Sequence, residues 1–126
     1  MSGSVNKFLI DTNIIIYSLQ GKLDLSDLFK TEDDLYISSI TYIEALGYHF
    51  QNQSDENEMV EICDMFERLF LTEKVEKQTI LIRKTNKIKL PDAIIAATAM
   101  VHYLTLVTCN NDDFKNIQGL KMINPL

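Results

Sequence analysis

Residues that build special frameworks are scarce in this chain. It has two cysteines, Cys63 and Cys109, and they form no CxxC pair. A disulfide framework needs more than that, so both read as free thiols, Cys63 in a helix core and Cys109 in a loop near a site. The two histidines, His49 and His102, join no Cys/His cluster, and no zinc-ligand spacing results. With only four Gly and two Pro, the composition is that of a globular domain rather than a low-complexity or collagenous one. No apolar run approaches the roughly 20 residues needed to span a bilayer. The first four residues, Met1-Ser2-Gly3-Ser4, lack the basic start and apolar core of a signal peptide. They read as a tag remnant or a disordered start, and the rest as a cytoplasmic protein without a membrane partner. Positive charge is also short: 12 Lys and Arg stand against 18 Asp and Glu, a net charge of −6. Taken alone, that balance argues against a nucleic-acid partner.

What is present is the size of one ordinary domain. The chain has 126 residues, 46% hydrophobic and 24% charged, enough to bury a core without disulfides or a structural metal. Its charge is unevenly spread. Residues 54–67 carry Asp55, Glu56, Glu58, Glu61, Asp64 and Glu67, whereas residues 77–91 carry Lys77, Arg83, Lys84, Lys87 and Lys89 and no acid.

The pattern predicts a buried strand over residues 5–10, then a helix capped by Thr12 or Asn13 and stopped by Gly21. A short helix over residues 23–29 and a strand at 35–37 follow. Ser38 and Ser39 suit the cap of a helix over 40–50, with Ile40, Ile43, Leu46 and Gly47 as its packed stripe. Ser54 suits the cap of a helix over 55–69, with Met59, Ile62, Cys63, Phe66 and Phe70 on one stripe. Val75 marks a minimal third strand, and 78–86 a helix with Ile80, Leu81 and Ile82 inward. Pro91 opens a nearly uncharged helix to about residue 103, which reads as central. A strand at 104–107, a short helix at 112–116 and a strand at 121–123 complete the chain. Strands alternating with helices, without hairpin signals, predict a three-layer α/β/α fold around a mostly parallel sheet of four to five strands. Functional groups in such folds gather at the carboxyl ends of the strands.

Several acids fall at those ends. Asp11 ends the first strand, and Asp92 sits in the first turn of the central helix. Glu44 lies on the helix after the second strand. Asn110, Asp112 and Asp113 follow the strand at 104–107. Each has an ordinary reading as a helix cap or a solvated side chain. Together they would repel one another, and a carboxylate cluster is tolerable mainly when a cation fills it. All-oxygen ligands favour Mg²⁺ or Mn²⁺ over zinc. Such an ion can acidify a bound water and neutralise charge on a phosphodiester. The cationic residues Lys84, Lys87 and Lys89 end just before Pro91, where they can lead an RNA backbone toward Asp92.

Read in order, the residues resemble the PIN-domain family. Leu9-Ile10-Asp11-Thr12-Asn13 looks like its first motif, and Ser38-Ser39-Ile40-Thr41-Tyr42-Ile43-Glu44 like its second. The run from Pro91-Asp92 to Ala99 is similar to the third. Thr108-Cys109-Asn110-Asn111-Asp112-Asp113-Phe114 is similar to the fourth, with Asn110 where many members have Asp. The resemblance implies a single PIN domain over residues 5–126 and a Mg²⁺- or Mn²⁺-dependent ribonuclease of the compact VapC-type toxin kind. It also implies an antitoxin partner and a homodimer. Its implied catalytic residues are Asp11, Glu44, Asp92 and Asp113, and its metal ligands Asp11, Asp92, Asn110 and Asp113. Thr12, Asn13, Ser39 and Thr108 would support the cluster. The apolar residues of 23–29 and 59–70 suit either a partner surface or the core.

Two competing readings have discriminating tests. Asn110 and the acidic total charge suit a PIN-like binding module without activity, which metal-dependent RNA cleavage would exclude. An aspartyl-nucleophile phosphatase or receiver also places Asp at a strand end. The phosphatase pattern puts a second Asp two residues on, where this chain has Asn13, and a small phosphate ester would test it.

Overall fold

A computed structural model describes residues 5–126; the reading of residues 1–4 as a tag or disordered start lies outside the described residues. The chain runs β1 (Lys7–Ile10), α1 (Thr12–Leu19), α2 (Leu25–Leu28), β2 (Asp34–Ser38), α3 (Ser39–Leu46), α4 (Gln53–Asp64), β3 (Glu67–Leu69), α5 (Glu73–Thr85), α6 (Leu90–Val101), β4 (Thr105–Val107), α7 (Asn111–Phe114) and β5 (Met122–Ile123). The strands form one sheet in the order β3-β2-β1-β4-β5, parallel at every pairing. The chain leaves β1 toward β2 and β3, then returns to β1's other side with β4. That reversal between β1 and β4 is where open parallel sheets form a crevice at their carboxyl edge.

Strand alternation divides the core in two. Leu9 and Leu106 face a cluster with Val75, Ile82, Ala93 and Ala96 from α5 and α6. Ile10, Ile37 and Val107 face the opposite cluster, with Ile14, Ala45, Met59 and Cys63 from α1, α3 and α4. Buried on both faces, the strands need continuous apolar runs, which is what residues 8–10 and 104–107 supply. Helix α6 buries Ala93, Ile95, Ala96, Ala97, Thr98 and Ala99. Its small side chains let its backbone approach its neighbours, so the central helix is as expected. Gly21, at φ +76°, ends the turn after α1, where a Cβ would be strained.

Six local expectations are corrected. The third strand is Glu67–Leu69, not Val75. Helix α4 stops at Asp64, and a turn from the Phe66 N–H to the Cys63 carbonyl (3.2 Å) keeps Phe66 on the helical stripe, buried. The apolar spacing therefore outruns the helix, and Phe70 is exposed. The strand that follows is a charged sheet edge, with Arg68 stacked 4.0 Å over the Tyr42 ring, and it shows no alternation to detect. Val75 is instead a buried residue of α5, three past the cap Thr72.

On α5 the inward side chains are Val75, Thr79 and Ile82, spaced four and three, while Ile80 and Leu81 are exposed. On α3 the helix ends at Leu46, Thr41 and Ala45 face inward, and Ile43 points out. Two caps also differ: Asp11 caps α1 rather than Thr12 or Asn13, and Asn52 caps α4 rather than Ser54.

Candidate active site

Asp11 leaves β1 at the sheet's carboxyl edge, its N–H donating to the Val107 carbonyl (3.0 Å). Only 4% of the residue is exposed. Both carboxylate oxygens are held: Oδ1 accepts from the Thr12 N–H at 2.8 Å and Oδ2 from the Thr108 hydroxyl at 2.7 Å. Thr108 comes from the end of β4, so the two central strands fix this carboxylate between them. Burial pushes the Asp11 carboxyl up from 3.8 to about 6. The two hydrogen bonds oppose that rise, and the nearby charges of Asp92 and Glu44 add to it.

Glu44 arrives from α3. The Thr12 hydroxyl donates to its Oε1 at 2.7 Å and lies 3.0 Å from the Thr41 hydroxyl. Thr41 in turn donates its N–H to the cap residue Ser38 (3.1 Å). The patterned reading missed Thr41, although its spacing of three from Glu44 puts both on one helix face. The Ser39 hydroxyl donates to the Leu69 carbonyl at 3.4 Å and so ties α3 to β3.

Asp92 stands in the first turn of α6, partly buried. Desolvation raises its pKa, Asp113 and Glu44 raise it further, and Lys89 lowers it. Asp113 is exposed in the first turn of α7, where its N–H donates to the Asn110 carbonyl (3.1 Å). Asn110 is exposed, and its N–H donates to the Thr108 hydroxyl at 3.0 Å. That hydroxyl therefore links the fourth motif to Asp11. Cys109 lies in this loop, a half-buried free thiol, and Cys63 is buried in α4.

The structure thus brings Asp11, Glu44 and Asp92 within electrostatic reach of one another, with Asp113 in reach of Asp92. The two ion pairs among the described residues, Lys77–Glu73 and Lys115–Asp112, lie on the surface. Neither neutralises Asp11 or Glu44. Both polar atoms of the Asn13 amide are buried without a hydrogen-bond partner. As they stand, no three acidic, His or Cys side chains among the described residues are gathered tightly enough to grip an ion. Two of the four acids, however, are on exposed side chains that can change rotamer. An uncompensated buried carboxylate with two further acids in coupling distance supplies oxygen donors of the kind a hard divalent cation takes.

Asp92 and Asp113 also line a cleft of about 630 Å³. Arg83, Asn86, Lys87 and Lys89, from the end of α5 and the loop before α6, line the same cleft. Lys87 and Lys89 therefore sit beside the acids as the charge pattern suggested, and Lys84 is outside the lining. Asn86 and Asn116, also in the lining, carried no sequence signal beyond being loop amides.

A PIN-domain family model matches residues 8–120. The chain belongs to the PIN-domain family. This PIN domain is 31% identical over 127 residues to ribonuclease VapC1 of Rickettsia felis, a match covering 91% of this chain and 93% of that protein. Its fold is similar to that in a DNA-bound VapBC crystal structure from Salmonella typhimurium, with TM-score 0.85 and 24% identity over 97% of this chain and 100% of that one. It is also similar to a chain of a toxin–antitoxin complex from Klebsiella pneumoniae, with TM-score 0.75 and 29% identity over 98% of both chains. No helix of this PIN domain, among the described residues, is long and apolar enough to cross a membrane.

Proposed function

We propose that this PIN domain is a divalent-metal-dependent endoribonuclease and the toxin of a toxin–antitoxin pair. The observation that carries the reading is the buried Asp11 carboxylate, clamped by Thr12 and Thr108 with Glu44 and Asp92 beside it and no cation among the described residues paired to it. Its curated relative in R. felis bears the name ribonuclease, which agrees with that chemistry.

Asp11, Asp92 and either Asn110 or Asp113 would hold Mg²⁺ or Mn²⁺, the ions that oxygen ligands select. When bound, such an ion supplies a more acidic water and offsets charge on the phosphoryl oxygens. The chain's own residues do the positioning. Thr12 and Thr108 fix the orientation of Asp11, because each occupies one of its oxygens. The Thr12 hydroxyl holds Glu44 Oε1 and leaves Oε2 to orient the attacking water. Lys87, Lys89 and Arg83 receive the RNA backbone across the cleft.

The solved relatives are toxin–antitoxin complexes, which supports a protein antitoxin as partner. Exposed Met65 and Phe70 give apolar surface for a second copy of the chain. An RNA substrate puts the action in the cytoplasm.

The test pairs Mn²⁺ or Mg²⁺ calorimetry with RNA cleavage on wild type and Asp92→Asn. Wild type is expected to bind the ion and cut RNA, and the variant to lose about a hundredfold or more in cleavage with weakened ion binding. An Asp92→Asn protein that cuts normally would refute the assignment. Absence of ion binding in both proteins would favour the inactive module.

A further inference from the structure

The cleft beside the acids does not end at Asp113. A second cavity of about 430 Å³ shares Asn86, Asn116 and Ile117 with the first, so the two adjoin along these residues as two ends of one groove. Its lining changes character along its length. The end that holds the acids is also cationic, with Arg83, Lys87 and Lys89 in its lining. Beyond Asn86 and Asn116, no charged residue lines it. There the walls are the amides Gln78, Asn86, Asn116 and Gln118, over the apolar Leu81 and Ile117. Leu81 is 57% exposed and offers an apolar surface at this end. Asn86 is fixed in place: its Nδ2 donates to the Ile82 carbonyl and the Thr85 hydroxyl, both at 3.1 Å, which leaves its Oδ1 as an acceptor.

We propose that this amide-lined end of the groove is a base-reading subsite, which holds a nucleotide flanking the cut while the cationic end holds the phosphates. The inference rests on the ribonuclease reading and deepens it by naming specificity-determining residues. The physical basis is the division of labour in nucleic-acid recognition. Cations grip phosphates without regard to sequence, whereas Asn and Gln amides pair with base edges as donor and acceptor at once. Single-stranded RNA presents its unstacked bases to such surfaces, and an exposed apolar side chain gives a base face something to lie on. A neutral, amide-rich and partly apolar pocket is poor at holding phosphate and well suited to a base. The shared residues set the order: acids and phosphate contacts in the first cavity, then the base in the second.

The test is cleavage of a pool of short single-stranded RNAs, randomised on both sides of the cut and sequenced after partial digestion with Mn²⁺. The proteins are wild type, Asn116→Ala, Gln118→Ala and Lys87→Gln, each checked for an unchanged melting temperature. The amide variants are expected to flatten base preference at one flanking position. They should lower kcat/KM on the favoured sequence about five- to a hundredfold and leave disfavoured sequences nearly unchanged. Lys87→Gln should slow all sequences alike. A pool cut by wild type and by both amide variants with identical preferences would overturn the subsite and leave the ribonuclease assignment standing. A pool that wild type does not cut would overturn both.

Discussion

At Asp11 the chain places a carboxylate where a carboxylate is costly. Folding takes it from water into the sheet edge, and its proton affinity rises from 3.8 to about 6. Between those two values the folded protein binds more protons than the unfolded one. Stability therefore falls as pH rises through roughly 4 to 6, and above 6 the full cost is present. An amide at this position carries no such cost. In chelator at pH 7.5, Asp11→Asn should be the more stable protein, by on the order of 1–3 kcal/mol in urea unfolding. The difference should vanish near pH 4, while cleavage is lost. An equal or lower stability at pH 7.5 would mean that Asp11 is held by its hydrogen bonds alone. Much of this was legible beforehand, because a lone Asp after a buried strand, with Thr beside it, announces both burial and function. Thr108 was legible as a support of the cluster through its motif, though not which acid it holds across 97 residues, and Thr41 was not legible, being a routine helix residue.

The helices were read best where side-chain size carried the signal. Helix α6 was found with its Pro start and its alanines because nothing else suits a helix buried on most sides. Its far end shows a feature the pattern hid. The helix closes in a Schellman motif: the Leu104 N–H donates to the Ala99 carbonyl at 2.8 Å and the Tyr103 N–H to that of Met100 at 3.4 Å. Tyr103 takes the left-handed position at φ 57°, where glycine is usual, and its side chain is 92% exposed. Tyr103→Gly should thus relieve strain without losing packing, and stabilise the protein by roughly 0.5–1 kcal/mol in thermal or urea unfolding. A loss of stability would reveal a packing role for the ring. Where charge and edge position mattered more than size, the sequence reading slipped. β3 is three residues, two of them charged, and it follows a stripe that continues the helical spacing through Phe66. Period alone cannot separate the end of such a helix from its continuation.

For the whole molecule, the net charge of −6 and a nucleic-acid substrate are reconciled by segregation. The proposed RNA contacts are three cations, Arg83, Lys87 and Lys89, all in the lining of one cleft. Counterion release from about three phosphate contacts gives a shallow salt dependence. Binding of a single-stranded RNA by the Asp92→Asn protein should follow a log–log slope near −2 between about 50 and 200 mM salt, measured by anisotropy. A slope several times steeper would place the main contacts elsewhere. The three-layer architecture was legible from the alternation of elements, whereas the strand order was not, because local pattern does not say on which side of β1 the later strands insert. That insertion has a temporal consequence. Asp11 is made early, but its partner Thr108 is made 97 residues later and reaches it only when β4 docks against β1. At ribosomal speeds of about 5–20 residues per second, the gap is roughly 5–20 seconds. Throughout that interval a nascent chain carries Asp11 without the Thr108 hydroxyl that holds its second oxygen.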